Sequence, residues 1–410
     1  MFPNIYIFNP TCEPAIANGS PYYTAPARLR KFESDLGYLS AWLASECDQV
    51  LIQGAVDEEF NSRLKGLGFH LPPILNIDRA LSDPAWVSKS KGRLFPWGWS
   101  PAVYQLFKEV LPCCGDDFIT SPVASWKESH KNLYSRRTGN ELLEKIVKRA
   151  AFPWLTKPSD VPVACLSTDQ IYQVLDRTPK AVVKTPWSSS GRGLLVFPNP
   201  DTKKKNDEVF SGMLQQQGFV TVEPWHDKIL DISYQFHSLA GRITYKGRTF
   251  FETDNKGRYL RNLLTDNINT SVEVDRFLDE HNAEVIALLQ KALSESDYAV
   301  DYEGWIGVDA LIYKSATGEL KFHPLVEING RFTMGAIALK LREHLADGSL
   351  GFLQIHYSQT TNFQAFCQKQ EAEKLLIMMD NKIVSGFLPL TPPLSTHQFG
   401  AYIEVKRHER

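Results

Sequence analysis

The strongest constraint on this fold is the order in which short apolar runs and amphipathic stretches alternate over the first eighty residues. Residues 5–8 (Ile-Tyr-Ile-Phe), 49–52 and 74–77 read as strands. Between them, residues 27–44 and 58–67 read as helices, with Leu29, Phe32, Leu36, Leu39 and Leu43 at helical spacing in the first. This β-α-β-α-β order predicts a parallel sheet with crossover helices, because parallel strands cannot be joined by a tight turn. The first strand-to-helix turn, residues 9–19, carries no G-x-G-x-x-G, so dinucleotide binding is disfavoured. Residues 94–114 begin aromatic and proline-rich and then turn helical.

Length and charge narrow the partners. A chain of 410 residues predicts two or three domains. The net charge is −2 and no polybasic run occurs, which excludes nucleic acid and a membrane surface as main partners. No run of eighteen apolar residues exists, and residues 1–10 lack the basic and apolar segments of an export signal, so a cytoplasmic location is expected. The six cysteines form no C-x-x-C pair and read as reduced thiols, with Cys113-Cys114 either a redox pair or turn-forming bystanders.

From about residue 126 the texture changes. Helices are expected over 140–150 and from Thr168, taken as its cap, to 175. Strands over 181–184 and 193–197 flank a Ser/Gly-rich loop. An antiparallel series follows over 219–223, 229–239, 242–245 and 249–253, with turns at 240–241 and 246–247. A helix or a bent pair of helices spans 272–297, a hairpin pairs 305–313 with 320–328, and a β-rich piece runs from 382 to 405.

Three features carry chemistry. Lys184 ends a strand just before a loop that holds Ser188, Ser189, Ser190, Gly191, Arg192 and Gly193; such a turn either cradles an anion with its N–H groups or is an ordinary glycine-rich hairpin turn. Glu223, Pro224 and Trp225, with Asp231 eight residues after Glu223, form either a strand edge for a base with a carboxylate for ribose hydroxyls, or simply a strand ending at Pro224. In the last hairpin, Glu327, Asn329 and Arg331 are spaced two apart and are expected on one face, where Asp309 can join them. Two carboxylates and an amide oxygen suit Mg²⁺. Their apolar neighbours Val308, Val326 and Ile328 place this strand inside the protein, against the reading of an exposed polar face.

In this order and with these separations, the three features resemble the ATP-grasp superfamily of ATP-dependent carboxylate-amine ligases, over roughly residues 130–345. The resemblance implies an α/β and α+β chain: an N-terminal Rossmann-like parallel-sheet domain (1–125), then a two-lobed ATP-grasp fold with mainly antiparallel sheets, its small lid lobe at 126–222 and its large lobe at 223–410. It implies ATP and Mg²⁺, with Mn²⁺ as an alternative ion. Lys184 would contact the α and β phosphates, residues 188–193 would be the lid, and residues 223–225 the adenine hinge. Asp231 would hold ribose, Asp309, Glu327 and Asn329 the metal, and Arg331 the acyl phosphate. The partners implied are small carboxylate and amine substrates, and a homodimer is compatible with the family. Where members often have a first nucleotide-binding lysine, this chain reads Ser135-Arg136-Arg137-Thr138, leaving either arginine as the substitute. Gly307 stands where the D-alanine ligases have an arginine, which disfavours cell-wall dipeptide synthesis. The other functions considered are an ATP-grasp kinase and a non-catalytic nucleotide-binding regulator; the intact set Asp309, Glu327, Asn329 and Arg331 argues against the regulator. Arg258, Tyr259 and Arg261 either line an acyl-substrate pocket or form an exposed basic turn.

Overall fold

Strands that are apolar on both faces are covered on both faces, and the first 126 residues are built on that rule. The computed structural model of the chain describes residues 2–188, 193–198, 206–266, 268 and 270–407. Its parallel sheet has the order Ile74–Asn76, Gln49–Ile52, Ile5–Ile7, Leu94–Pro96. The fourth strand lies in the stretch that the sequence showed only as aromatic and proline-rich. It is three residues long and at the sheet edge, where Pro96 is tolerated. The helix expected over 27–44 is α-helical only over Ala27–Leu36 and continues as a 3₁₀ helix over Gly37–Trp42. A Cβ at Gly37 would stand 3.2 Å from the Ile52 side chain, so the glycine lets this turn lie against the sheet. The third strand stops at Asn76, whose Oδ1 accepts from the Arg79 N–H at 2.9 Å and caps the helix Ile77–Ser82.

The chain divides into two compact units, one of residues 1–126, 260–266 and 331–410, the other of 127–259 and 267–330. Residues 331–410, expected with the metal-site lobe, thus fall with the parallel sheet. Within that unit Asp35, its side chain fully buried, accepts from the Gln398 and Phe399 N–H groups at 2.9 and 3.1 Å, and Trp42 Nε1 donates to the Leu390 carbonyl at 2.9 Å. Its C-terminal strands Ser349–Tyr357, Phe399–Arg407 and Lys382–Pro389 pair antiparallel; the β-rich reading of 382–405 covered the last two and not Ser349–Tyr357.

The second unit holds two antiparallel sheets. The smaller runs Val163–Cys165, Val220–Pro224, Ala181–Lys184, Leu194–Phe197. One face packs Val183, Phe197 and Val222 against Ile171, Leu175 and Phe210 of helices Thr168–Arg177 and Asp207–Gln217. Ser167, not Thr168, caps the first of these helices, because Ser167 is still extended and accepts from the Gln170 N–H at 3.3 Å. The larger set runs Leu320–Asn329, Gly304–Lys314, Asp227–Leu239, Arg242–Thr253. The turn expected at 246–247 is a bulge inside one continuous strand, where the register shifts between Tyr245 and Gly247 and Gly247 has φ +145°. Helix Val272–Ser294 covers the apolar face: Phe277 stacks on Phe322 and Tyr234 Oη donates to Asn282 Oδ1 at 2.9 Å. Among the described residues no helix is long and apolar enough to cross a membrane.

Candidate functional site

Alternation along the larger antiparallel set separates two faces. Ile232, Tyr234, Phe236, Ile306, Val308 and Ala310 are buried on the helix side. On the opposite face the register aligns Thr249, Ser233, Asp309 and Glu327 in one row across four strands, with Gln235, Gly307 and Asn329 in the next. Asp309 and Glu327 are direct cross-strand partners, an arrangement that like charge disfavours. Donors offset it. Ser233 Oγ donates to Asp309 Oδ1 at 2.7 Å, Asn329 Nδ2 to Asp309 Oδ2 at 3.3 Å, and Arg136 Nη2 lies 3.0 Å from Glu327 Oε1. Gln235 Nε2 donates to Ser233 Oγ at 2.9 Å and holds that hydroxyl in turn. Among the described residues no group of three or more His, Cys, Asp or Glu could hold a metal ion. The donor set here, two carboxylates and an amide, is of hard oxygens and fits Mg²⁺.

Of the two arginines, Arg136 is the one in contact with this row. It opens helix Arg136–Ala150 behind the Ser135 cap, and its side chain is almost wholly buried. Its Nε donates to the Thr185 carbonyl at 3.1 Å, and its Nη2 lies 3.4 Å from both the carbonyl and the Oγ of Ser188. One guanidinium therefore joins the acidic row to the loop after Lys184. Arg137 instead lies over the Phe219 ring, 4.7 Å from its centroid.

On the smaller sheet Val183 and Val222 point into the core, so Lys184, Thr221 and Glu223 face the other way. Lys184 and Glu223, both nearly buried, form an ion pair. Gly193 closes the loop: Thr185 N–H donates to its carbonyl at 3.0 Å, and its φ of +72° and the 2.2 Å from a would-be Cβ to Thr185 Oγ1 leave room only for glycine. Ser189, Ser190, Gly191 and Arg192 lie outside the described residues. At the hinge, the Trp225 N–H donates to the Lys180 carbonyl at 2.9 Å and is committed to the sheet. Asp231 forms an ion pair with Lys228 and accepts from Thr253 Oγ1 at 3.2 Å; its burial raises the carboxyl pKa despite the ammonium.

Two histidines escaped the sequence reading. His226 follows Trp225, and His323, on the strand that carries Glu327, lies 5.6 Å from it between ring centroids. Burial lowers both imidazole pKa values, and for His323 the nearby His226 and Lys184 lower it further. Among the described residues, His226 Nε2, His323 Nδ1 and Thr221 Oγ1 are buried and have no hydrogen-bond partner. Such orphaned polar atoms are costly unless something satisfies them. The spacing of His323 four residues before Glu327, an even number on one strand, was the signal that could have found it.

Arg331 departs from its expected place. The strand ends at Asn329, and the Phe332 N–H donates to the Trp97 carbonyl at 2.9 Å, so the chain has left the strand before Arg331. Arg331 belongs to the first unit, where its Nε pairs with the buried Glu13 in the first turn of helix Cys12–Asn18, and its Nη1 donates to the Phe332 carbonyl at 3.0 Å.

No family model matches the chain, and no curated protein matches it. Solved structures do. A biotin carboxylase from Campylobacter jejuni, in complex with β-γ-ATP, is 13% identical over 99% of this chain and 88% of its own, with a TM-score of 0.52. The biotin carboxylase domain dimer of the Hydrogenobacter thermophilus 2-oxoglutarate carboxylase, in complex with MgADP, ADP and bicarbonate, is 11% identical over 98% and 86%, with a TM-score of 0.51. The chain therefore shares the fold of these two structures, a small parallel sheet followed by larger antiparallel ones, the mixed architecture that the sequence led one to expect.

Proposed function

We propose that the protein is an ATP- and Mg²⁺-dependent ligase that activates a carboxylate as an acyl phosphate and joins it to an amine. The observation that carries this reading is the single polar face on which Asp309, Glu327 and Asn329 stand together, with Arg136 bound to Glu327 and reaching the loop after Lys184. The shared fold supports it, since both neighbours were solved with adenine nucleotides.

In this reading Lys184 and Arg136 bind phosphate oxygens, with Arg136 in the place of the family's first lysine. Ser188 and Gly193 border the phosphate loop, residues 223–225 bound the base, and Asp231 accepts from the ribose hydroxyls. Asp309, Glu327 and Asn329 hold Mg²⁺, which when bound supplies positive charge against the triphosphate. An oxygen of the substrate carboxylate attacks the γ-phosphorus and ADP leaves; the amine nitrogen then attacks the acyl carbon and inorganic phosphate leaves. Arg331, held by Glu13, stabilises the charge on the acyl phosphate. The orphaned atoms of Thr221, His226 and His323 gain partners from bound nucleotide or from the water it orders. The partners are small molecules and the setting is cytoplasmic.

The test is release of ADP by purified protein with Mg-ATP against pools of small carboxylates, each with and without an amine pool, with the products identified by mass. ADP, phosphate and an amide in equal amounts are expected. A phosphorylated hydroxyl product would instead make the protein a kinase, and Mg-ATP affinity equal to that of metal-free ATP would remove the metal assignment.

A further inference from the structure

Where the strand order of a parallel sheet reverses, a crevice opens beyond the carboxyl ends of the strands. The reversal here is at Ile5–Ile7, and a cavity of about 240 Å³ lies just past this strand and its neighbour Gln49–Ile52. Ile7, Leu51 and Val103 give it apolar walls, and Thr11, Glu33 and Arg30 give it polar ones. At about 30 Å³ per water in the liquid, that space takes a molecule of amino-acid size. A larger cavity of about 630 Å³ lies farther along the sheet, but its charged residues Glu58, Arg79 and Asp83 are all exposed and require no ligand.

Glu33 is the unusual wall. It is 9% exposed and accepts from Thr11 N–H at 3.2 Å and Thr11 Oγ1 at 2.5 Å. Among the described residues no cation pairs with it, whereas its neighbours in the same unit are matched, Asp35 with Lys31 and Glu13 with Arg331. A buried carboxylate without a counter-ion must hold a proton or find a cation. Burial accordingly raises the Glu33 pKa, and the Thr11 bonds only partly oppose this.

We propose that this cavity binds a free amino acid, its ammonium group on Glu33 and its carboxylate at Arg30 on the exposed rim. The apolar walls take the side chain, and Thr11 keeps Glu33 turned inward.

Calorimetric titration of the full chain, without nucleotide, with each common L-amino acid, its N-acetyl derivative and its amide tests the proposal. At least one free amino acid is expected to bind and its N-acetyl derivative to fail. Glu33→Gln keeps an acceptor for Thr11 and is expected to weaken binding about tenfold or more, the worth of a charge-assisted contact. Should that variant not fold, Arg30→Ala at the rim decides, by reducing the preference for the amino acid over its amide. Binding that ignores N-acetylation, binding unchanged in Glu33→Gln, or no binding by any amino acid overturns the proposal. A parallel titration with Mg-ATP separates the two readings: amino-acid binding without Mg-ATP binding would sink the ligase and leave the pocket, and the reverse would sink the pocket alone.

Discussion

The two units carry polar chemistry in different places, and strand pairing explains why. In the parallel sheet Ile5, Ile7, Val50 and Leu51 are all buried, so neither face has room for a polar group, and Thr11, Glu13 and Glu33 lie past the strand ends. In the second unit, strands such as Gly304–Lys314 and Leu320–Asn329 place apolar side chains on one face and polar ones on the other, so Asp309, Glu327 and Asn329 stand on the strands themselves. A strand residue is thus a functional candidate only where the sheet has a face to spare; elsewhere the search belongs at the carboxyl ends.

Arg331, which lies outside both the strand and its face, provides the largest expected effect. Arg331→Met should lower turnover about a hundredfold to a thousandfold, ~3–4 kcal/mol, with Mg-ATP affinity little changed. It also strands the buried Glu13, so the free energy of unfolding should fall by about 3 kcal/mol and be largely recovered in Glu13→Gln/Arg331→Met without recovery of turnover. Near-normal turnover in the single variant would make Arg331 purely structural.

The two faces of the antiparallel set are separated by a matched pair. Ile232→Ala, on the buried face, should cost about 3 kcal/mol of stability in urea unfolding and leave Mg-ATP affinity intact in the folded protein. Asp309→Asn, on the other face, should do the reverse: stability equal or higher by up to about 1 kcal/mol as the repulsion from Glu327 is relieved, and Mg-ATP binding weakened. A reversed pattern would mean that the faces are misassigned.

Between these extremes lie two smaller effects. Ala in place of Gly193 meets both the positive φ and the Thr185 hydroxyl, and should cost about 1–2 kcal/mol in the same unfolding assay; no loss would mean that the loop relaxes freely. His323 titrates below its ordinary 6.5 in the folded state, so the unfolded chain takes up the proton first; its contribution is fully present above pH 6.5 and is lost as the pH falls below it. His323→Phe should reduce the fall of stability with pH below 6.5 by up to ~1.4 kcal/mol per pH unit, measured by unfolding at several pH values between 5 and 7.5. An unchanged slope would place the neutral imidazole elsewhere.

Much of this was legible. Alternating apolar and polar residues predicted the antiparallel strands and put Asp309, Glu327 and Asn329 on one face, because a strand's two-residue period is local. The β-α-β order predicted the parallel sheet. The bulge at Gly247 was not legible, because Lys-Gly reads as a turn until a partner strand runs past it. Nor was Arg331, since the two-residue period says nothing about where a strand stops, and this one stops at Asn329.

By itself, then, the sequence determined most of the element types, the order of the sheets and the carboxylate pair, all properties of spacing along a few residues. Tertiary structure decided which charges meet. Arg136 rather than Arg137 reaches Glu327, Lys184 meets Glu223, and Arg331 finds Glu13 more than three hundred residues away. Among the described residues Glu33 has no cation partner. Long side chains are free to turn toward any partner in the unfolded chain, and only packing, which fixes one rotamer and removes water, selects the ion pair that survives.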